Sequence, residues 1–179
     1  MQPNKKILAI CGSTRAASTN FNLIKAIKDL TENIFEIEIF REIAAIPHFN
    51  PDLDNEHPPK EVIEFRNKLK EADGVFICTP EYAMGVPGTL KNAIDWTVSS
   101  AEFSHKPVAL ITASSQGEKG HASLMETLKI IESDIADSSQ LLISFVKTKV
   151  SAEGKITNTE TLEQVKKLIA SLKQTIDRK

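Results

Sequence analysis

GVFICTPEYAMGVPGTLKNAIDW, residues 74–96, passes from an apolar run through a proline- and glycine-rich loop into an amphipathic helix. The run 74–79 has the length of a strand and no polar alternation, which is typical of a strand buried on both faces of a sheet. The segment GTLKNAIDW then places Leu90, Ile94 and Trp96 at helical spacing, and we expect these side chains to pack inward. Strand, loop and helix in this order predict half of a βαβ unit in a parallel sheet.

The same alternation of apolar runs and helical periods extends along the whole chain. Four further runs of strand length are KKILAIC (5–11), IFEIEIF (34–40), PVALITA (107–113) and QLLISFV (140–146). Apolar residues at helical spacing lie between or after these runs, in the groups Leu23, Ile27, Leu30 and Ile34; Val62, Phe65, Leu69 and Ala72; Leu124, Leu128, Ile131 and Ile135; and Leu162, Val165, Leu168, Ile169, Leu172 and Ile176. The fold class is therefore predicted to be α/β, with right-handed crossovers and helices on both faces of a parallel sheet.

The position of the second strand in the sheet predicts the strand order. Ile and Glu alternate in 34–40, which indicates an exposed edge strand, whereas the other strands lack this alternation. An edge position agrees with the doubly wound order 2-1-3-4-5. In that order a ligand binds between the carboxyl ends of strands one and three, beside the loops that begin at Gly12 and Thr79. The irregular segment 41–58 is expected to be a crossing loop.

Composition favours a single domain, residues 1–179, without nucleic-acid or membrane partners. The 22 Lys+Arg and 24 Asp+Glu residues give a formal net charge of -2, which lacks the basic excess of nucleic-acid and anionic-lipid binders. The first apolar run is too short for a secretion signal or a membrane span, which predicts a cytoplasmic protein. Cys11 and Cys78 lie inside apolar runs and the histidines show no ligand spacing, so we predict reduced core thiols and no metal site.

The loop after the first strand, CGSTRAASTNFNLI (11–24), is rich in hydrogen-bond donors and has no carboxylate. The donors are the hydroxyls of Ser13, Thr14, Ser18 and Thr19, the guanidinium of Arg15 and the amide of Asn20. A phosphate monoester needs several donors, and a helix N-terminus adds backbone N–H groups and the positive end of its dipole. The alternative is that Ser18 or Thr19 only caps the helix. The patterns GxxxxGK[ST] and GxGxxG are absent, which favours a mononucleotide.

Three segments together resemble the NAD(P)H-dependent FMN reductase family. They are GSTRAASTN (12–20), NPDL (50–53) and TPEYAMGVPGTLKNAIDW (79–96), and the similarity runs in order over 5–113 and more loosely to about 146. Members of this family are flavodoxin-like enzymes that include quinone, chromate and azo-dye reductases. The resemblance implies a flavodoxin-like three-layer sandwich with a five-stranded parallel sheet in the order 2-1-3-4-5, and bound FMN.

The resemblance also implies which residues contact FMN. By position they are Ser13, Arg15, Ser18, Thr19 and Asn20 in the phosphate loop, Pro80, Glu81, Tyr82 and Ala83 along the ring and ribityl chain, and Ser114 and Gly117 facing the ring. Two departures from the family pattern bear on these contacts. Ala83 stands where members commonly carry Asn, and Lys119-Gly120-His121 stands where they usually carry a Gly-Gly-x-Arg run. We expect no catalytic side chain, because the cofactor carries the chemistry.

The function that the resemblance implies is an FMN-dependent oxidoreductase that takes hydride from NADPH or NADH. Its acceptor is expected to be a quinone, an azo compound or a metal oxyanion. One alternative is a flavodoxin-type FMN electron carrier, and another is a flavin-binding redox sensor that uses Cys11 and Cys78. The resemblance further implies a homodimer or homotetramer, with Trp96, Phe103 and the 41–58 loop as candidate subunit surfaces.

Overall fold

The computed structural model describes residues 5–179, across which five strands alternate with five α-helices. The strands are β1 Lys5–Cys11, β2 Phe35–Phe40, β3 Gly74–Thr79, β4 Val108–Ala113 and β5 Gln140–Ile143. The helices are α1 Thr19–Leu30, α2 Lys60–Glu71, α3 Gly88–Asp95, α4 Glu118–Ile130 and α5 Thr159–Asp177. All strand pairs are parallel and the order is β2-β1-β3-β4-β5, which confirms the predicted topology. The predicted domain begins at residue 1, and residues 1–4 lie outside the described part.

The sheet separates two apolar cores, one on each face. Ile7 and Ala9 of β1 face the core that α1 and α5 cover, whereas Leu8 and Ile10 face the core that α2, α3 and α4 cover. Because side chains alternate between the faces of a strand, a strand in the middle of the sheet must be apolar at every position. This arrangement is the predicted flavodoxin-like three-layer sandwich.

The edge position of β2 accounts for its alternating sequence. Phe35 and Ile37 are buried beneath α1 and α5, while Glu36 and Glu38 are exposed on the other face. Among residues 5–179, β2 pairs with β1 alone, in a register that sets Ile7 opposite Ile37. The prediction of an edge strand is confirmed.

Some predicted boundaries are wrong, because three elements end before their apolar pattern ends. The hydroxyl of Thr31 donates to the carbonyl of Ile27 at 2.8 Å and closes α1, so Leu30 is partly exposed and Ile34 lies beyond the helix. Strand β5 ends at Ile143 rather than at residue 146, and Phe145 takes a left-handed conformation with φ of 54°. Helix α4 likewise ends at Ile130.

Hydrogen bonds and a ring contact hold the 41–58 loop against α3 and the residue that follows it. Trp96 Nε1 donates to the carbonyl of Pro47 at 2.8 Å, Asn92 Oδ1 accepts the N–H of Phe49 at 2.8 Å, and the ring of Phe49 packs edge-on against Trp96. Trp96 and Phe103 are fully buried within the single chain. They cannot form a subunit surface, so that part of the prediction is wrong.

Two features that residues 5–179 lack bear on partners. No helix in this range is long and apolar enough to cross a membrane. No group of three or more His, Cys, Asp or Glu side chains in the same range is arranged to hold a metal ion.

Candidate active site

A cavity of about 360 Å³ opens at the carboxyl ends of β1, β3, β4 and β5. This edge is where an open parallel sheet binds ligands, and the volume lies within the range of small-molecule pockets. The predicted contacts that line the cavity are Ser13, Arg15, Ser18, Thr19, Asn20, Pro80, Glu81, Tyr82 and Ser114. Sequence positions as far apart as 13 and 114 therefore come together. Ala83 and Gly117 do not line the cavity.

The loop after β1 approaches β3 so closely that only glycine fits at its start. The N–H of Gly12 donates to the carbonyl of Cys78 at 2.9 Å. A Cβ atom at this position would lie 2.7 Å from the Cβ of Thr79, well inside van der Waals contact. Gly12 is thus more than an ordinary turn residue, because it brings the two loops of the cavity together.

The N-terminus of α1 is built into the wall of the cavity. Ser18 is its N-cap, and its hydroxyl oxygen accepts the N–H of Phe21 at 3.3 Å. Ser18 therefore caps the helix, and because it also lines the cavity, the cap does not exclude a contact with phosphate. Asn20 is buried; its amide donates to the carbonyl of Ala113 at 3.0 Å, and its Oδ1 accepts the thiol of Cys78 at 3.3 Å. Asn20 thus ties α1 to the ends of β3 and β4.

The loop after β3 forms a tight turn with an exposed aromatic ring. Tyr82 and Gly85 exchange two backbone hydrogen bonds around Ala83 and Met84, whose φ angles are 49° and 61°. Two positive φ angles define a type I′ turn, which favours Asn and Gly rather than Ala and Met. The turn occupies the backbone N–H of Tyr82 and directs Ala83 away from the cavity lining. Tyr82 itself is 46% exposed, and its hydroxyl lies 3.4 Å from the hydroxyl of Ser13.

The loops after β4 and β5 are joined by backbone hydrogen bonds and form a wall that the sequence did not predict. Phe145 and Val146 donate to the carbonyls of Ser115 and Ser114, both at 3.1 Å. The lining residues missing from the prediction are Ala113, Ser115, Phe145, Val146, Lys147 and Thr148. The sequence offered one sign that Lys147 lines the cavity, namely its position after the last apolar strand. The carboxyl ends of parallel strands share one edge of the sheet.

Gly117 is the N-cap of α4 and lies in the loop after β4. Its φ of 100° is left-handed, and a Cβ atom there would lie 2.8 Å from a methyl of Leu142. It therefore serves backbone geometry at the base of the loop. Nearby, His121 bridges Thr112 at 2.9 Å and Gln140 at 3.1 Å through its two ring nitrogens. Burial lowers the pKa of His121, although the bond to Gln140 opposes this effect.

The charged groups of the cavity are two cations and one engaged carboxylate. Arg15 and Lys147 line it and form no ion pair with any carboxylate of residues 5–179. Glu81 Oε2 accepts the N–H of Gly120 at 2.7 Å, near the N-terminus of α4. The positive end of the α1 dipole adds to the two cations. The cavity is thus suited to an anion.

Cys11 and Cys78 lie at the carboxyl ends of β1 and β3, opposite each other in the β1–β3 register. Burial raises the pKa of both thiols, and the proximity of Cys11 raises that of Cys78 further. Both are free and buried, as predicted. Thiols of this kind lack the thiolate character that redox sensing requires.

Comparison with known proteins gives the family. The model that describes NADPH-dependent FMN reductases matches residues 5–147. The chain belongs to this family. It is 31% identical over 178 residues to an NAD(P)H-dependent FMN reductase of Pseudomonas aeruginosa, with 96% of this chain and 95% of the relative covered. It is also 30% identical over 173 residues to a quinone reductase of Escherichia coli, with 92% of each covered.

A solved structure supports the same assignment. The flavoenzyme NAD(P)H:(acceptor) oxidoreductase FerB of Paracoccus denitrificans superposes with a TM-score of 0.86 at 26% identity, covering 97% of this chain and 98% of the other. This member of the FMN reductase family is therefore an FMN-dependent NAD(P)H oxidoreductase, as the sequence predicted. The alternatives of an electron carrier and a redox sensor receive no support from the family.

Proposed function

We propose that this FMN-dependent NAD(P)H oxidoreductase holds the FMN phosphate at the 13–20 loop and passes electrons to a quinone in the same cavity. The observation that carries the proposal is the donor set of the cavity, which the N-terminus of α1 helps to line. Ser13, Thr19, Arg15 and Lys147 all line this cavity, and neither cation forms an ion pair within residues 5–179. A phosphate dianion fits such a set, because each charged donor forms a strong hydrogen bond and the helix dipole adds to them.

Individual residues have different parts in this proposal. Arg15 and Lys147 would neutralise the phosphate, and Ser13 and Thr19 would donate hydroxyl hydrogens to it. Ser18 accepts a hydrogen bond in the helix cap, and its hydroxyl also lies 3.9 Å from the thiol of Cys11, so a phosphate would compete with that thiol for its hydroxyl hydrogen. Asn20 has its amide nitrogen and oxygen engaged within the protein, so we assign it to positioning the loop.

The other end of the cavity is proposed to receive flat rings. When bound, FMN supplies the redox chemistry, accepting hydride from the nicotinamide and passing electrons to the acceptor. Pro80 and Ser114 shape the cavity beneath its rim, and the exposed rings of Tyr82 and Phe145 stand at that rim. Aromatic rings stack favourably on planar ligands, which suits a quinone. The relative in Escherichia coli, a quinone reductase, supports this choice. Azo compounds and metal oxyanions stay predictions.

Two predicted contacts lie outside the cavity lining, Ala83 in the turn after β3 and Gly117 at the start of α4. Any contact that they make with FMN would come through backbone groups at the rim of the cavity. Glu81 is assigned to holding this turn against α4 through its bond to Gly120. We therefore expect Glu81→Gln to keep one hydrogen bond and most of the FMN affinity, and Glu81→Ala to lose both.

The phosphate site is tested by comparing FMN with riboflavin, which lacks the phosphate. Arg15→Gln is expected to raise the Kd for FMN by about tenfold or more, from the loss of a charged hydrogen bond, and to leave the Kd for riboflavin nearly unchanged. Arg178→Gln, at the end of α5, is the matched control and should change neither. Equal weakening of both flavins, or of neither, would contradict the site.

The acceptor is tested by anaerobic absorbance. We expect NADPH or NADH to bleach the flavin band of the FMN-loaded protein, and a benzoquinone to restore it faster than it restores free reduced FMN. Bleaching that no quinone reverses faster than in free solution would exclude the quinone while leaving the flavin site standing.

We further propose that residues 1–179 form one FMN-binding domain, which assembles as a homodimer or homotetramer in the cytoplasm. Met84, 74% exposed at the tip of the turn beside the cavity, and Phe49 and Leu53 on the 41–58 loop offer apolar surface for a second copy. The free thiols of Cys11 and Cys78 suit a reducing compartment. Sedimentation that shows only monomer at micromolar concentration would refute the assembly.

A further inference from the structure

A second cavity, of about 240 Å³, lies between the 13–16 loop and the chain that leaves β2. Phe21 of α1 and Phe40 of β2 contribute to its walls, together with Ile43. It shares only Ser13 and Arg15 with the first cavity, and both belong to the proposed phosphate site. The function proposed above assigns no ligand to it.

The charges of this second cavity are of one sign. Arg15 and Arg41 line it and no carboxylate does. Neither guanidinium forms an ion pair within the described part of the chain. The neighbouring Glu42 directs its carboxylate to the backbone N–H of Arg41 at 2.9 Å, and it does not line the cavity. Two guanidiniums in a cavity that no carboxylate lines favour a phosphate, which they bind through paired N–H donors.

The guanidinium of Arg41 contacts an aromatic ring of the cavity wall. Its Cζ lies 4.7 Å from the centre of the Phe21 ring, within the range of a cation–π contact. Lys25 contacts the same ring through its Nζ at 4.8 Å and does not line the cavity. A guanidinium that contacts an aromatic ring can still donate N–H hydrogen bonds from its edge.

The size of the cavity indicates what kind of ligand fits. A volume of 240 Å³ is below the roughly 300–1,000 Å³ of pockets that enclose a whole small molecule, so it suits one part of a larger ligand. That ligand must reach Ser13 and Arg15, where the two cavities meet. The redox activity brings dinucleotides to this place, and each has a phosphorylated adenosine half. Its phosphate matches the two arginines, and its base matches the aromatic and aliphatic wall.

We propose that the second cavity binds the phosphorylated adenosine half of a dinucleotide, with Arg41 as a specificity-determining residue. The inference rests on the proposed placement of the FMN phosphate at Ser13 and Arg15. Two molecules carry this group. One is the nicotinamide dinucleotide that donates hydride, and the other is FAD, in which an AMP half extends from the FMN phosphate.

The test is calorimetric binding of 2′,5′-ADP, an adenosine bisphosphate without a redox group, to the protein with and without FMN. Arg41→Gln should raise the Kd for 2′,5′-ADP by about tenfold or more, from the loss of charged hydrogen bonds to phosphate. Lys25→Gln is the matched control, since it removes a cation from the same ring outside the cavity, and we expect less than about a twofold change. The Kd for FMN should be the same in Arg41→Gln and in the wild type.

Further arms distinguish the two sources of the adenosine group. If the hydride donor occupies the cavity, 2′,5′-ADP competes with NADPH in the FMN-loaded protein and FAD binds no better than FMN. If FAD occupies it, wild-type protein binds FAD more tightly than FMN, and Arg41→Gln abolishes the difference. Either result supports the inference.

The inference and the proposed function fail in different ways. Wild-type protein that binds FMN but not 2′,5′-ADP, and that does not prefer FAD, would overturn the second site alone. Equal effects of Arg41→Gln and Lys25→Gln on 2′,5′-ADP would overturn it as well, because general charge would then explain the binding. Wild-type protein that fails to bind FMN would overturn the proposed FMN site, on which this inference rests.

Discussion

Replacing Gly12 with alanine tests whether the close approach of two loops builds the cavity. The added Cβ would lie 2.7 Å from the Cβ of Thr79 and 3.1 Å from a methyl of Leu90. Carbon atoms pack at about 3.5–4.0 Å, so the loop must move away from β3 by about 1 Å. Overpacking of this kind costs typically 1–3 kcal/mol, and a contact with a strand leaves little room to relax. We expect the free energy of unfolding to fall by about 2–3 kcal/mol.

The same displacement should reach the ligand. The 13–20 loop follows Gly12 directly, so Gly12→Ala is expected to raise the Kd for FMN about tenfold, measured by fluorescence titration, with unfolding followed in urea. The matched control is Gly88→Ala at the start of α3, where nothing lies within 4 Å of the added Cβ. That change should be neutral or stabilise the protein by up to about 1 kcal/mol.

A second variant identifies the clash as the cause. Thr79→Gly removes the side chain that the new methyl would meet, so in the double variant Gly12→Ala/Thr79→Gly the two costs should not add. We expect a favourable coupling of about 1–2 kcal/mol in the double-mutant cycle. Strict additivity, or a Gly12→Ala variant as stable as wild type, would refute the steric reasoning.

Three further predictions concern the loop anchors. Arg66 pairs with Asp54 at an N···O distance of 2.7 Å and donates to the buried carbonyl of Trp96, so Arg66→Met should cost about 3–5 kcal/mol in urea unfolding. Adding Asp54→Leu should recover only the part that comes from the unpaired carboxylate. Burial alone would raise the pKa of Asp54, but hydrogen bonds from Ser99 and Arg66 outweigh burial, and the pKa is lowered. The stability that wild type gains over Asp54→Asn should therefore be full above about pH 4 and should fall as the pH drops further. A constant difference down to pH 2 would contradict that linkage. Ala83→Gly relieves a positive φ and should stabilise the protein by up to about 1 kcal/mol. The control Ala122→Gly, inside α4, should destabilise it by about as much. Equal destabilisation by both variants would show that the turn carries no strain.

Local pattern was enough to predict the strand order. The alternation in 34–40 distinguishes an edge strand from the continuous apolar runs of the central strands. Of the common doubly wound orders, 2-1-3-4-5 is the one that puts the second strand at an edge and beside β1. The donor-rich loop after β1 could also be recognised, because its hydroxyls and Arg15 are close in sequence. The ends of elements were harder to predict. A single hydroxyl such as that of Thr31 can close a helix, and the spacing of apolar residues gives no sign of it.

The site was predicted where its residues follow strands of obvious character and missed where a strand ends early. Phe145 lies inside an apolar run, and its left-handed backbone arises from hydrogen bonds to the loop after β4. The family resemblance makes Trp96 a candidate for a subunit surface. In the structure the carbonyl of Pro47 accepts its indole N–H and the fold buries its ring, and this contact links positions far apart in the chain.

The sequence by itself determined the layers, the edge strand and the phosphate-like character of the first loop, because periodicity and residue type act over a few neighbouring positions. Only the tertiary structure decided which cations share a cavity. Arg15 and Arg41 belong to different crossovers, and the parallel pairing of β1 with β2 brings their loops to one edge of the sheet. Lys147 joins Arg15 because β4 and β5 end at that same edge, and no spacing along the chain encodes this proximity.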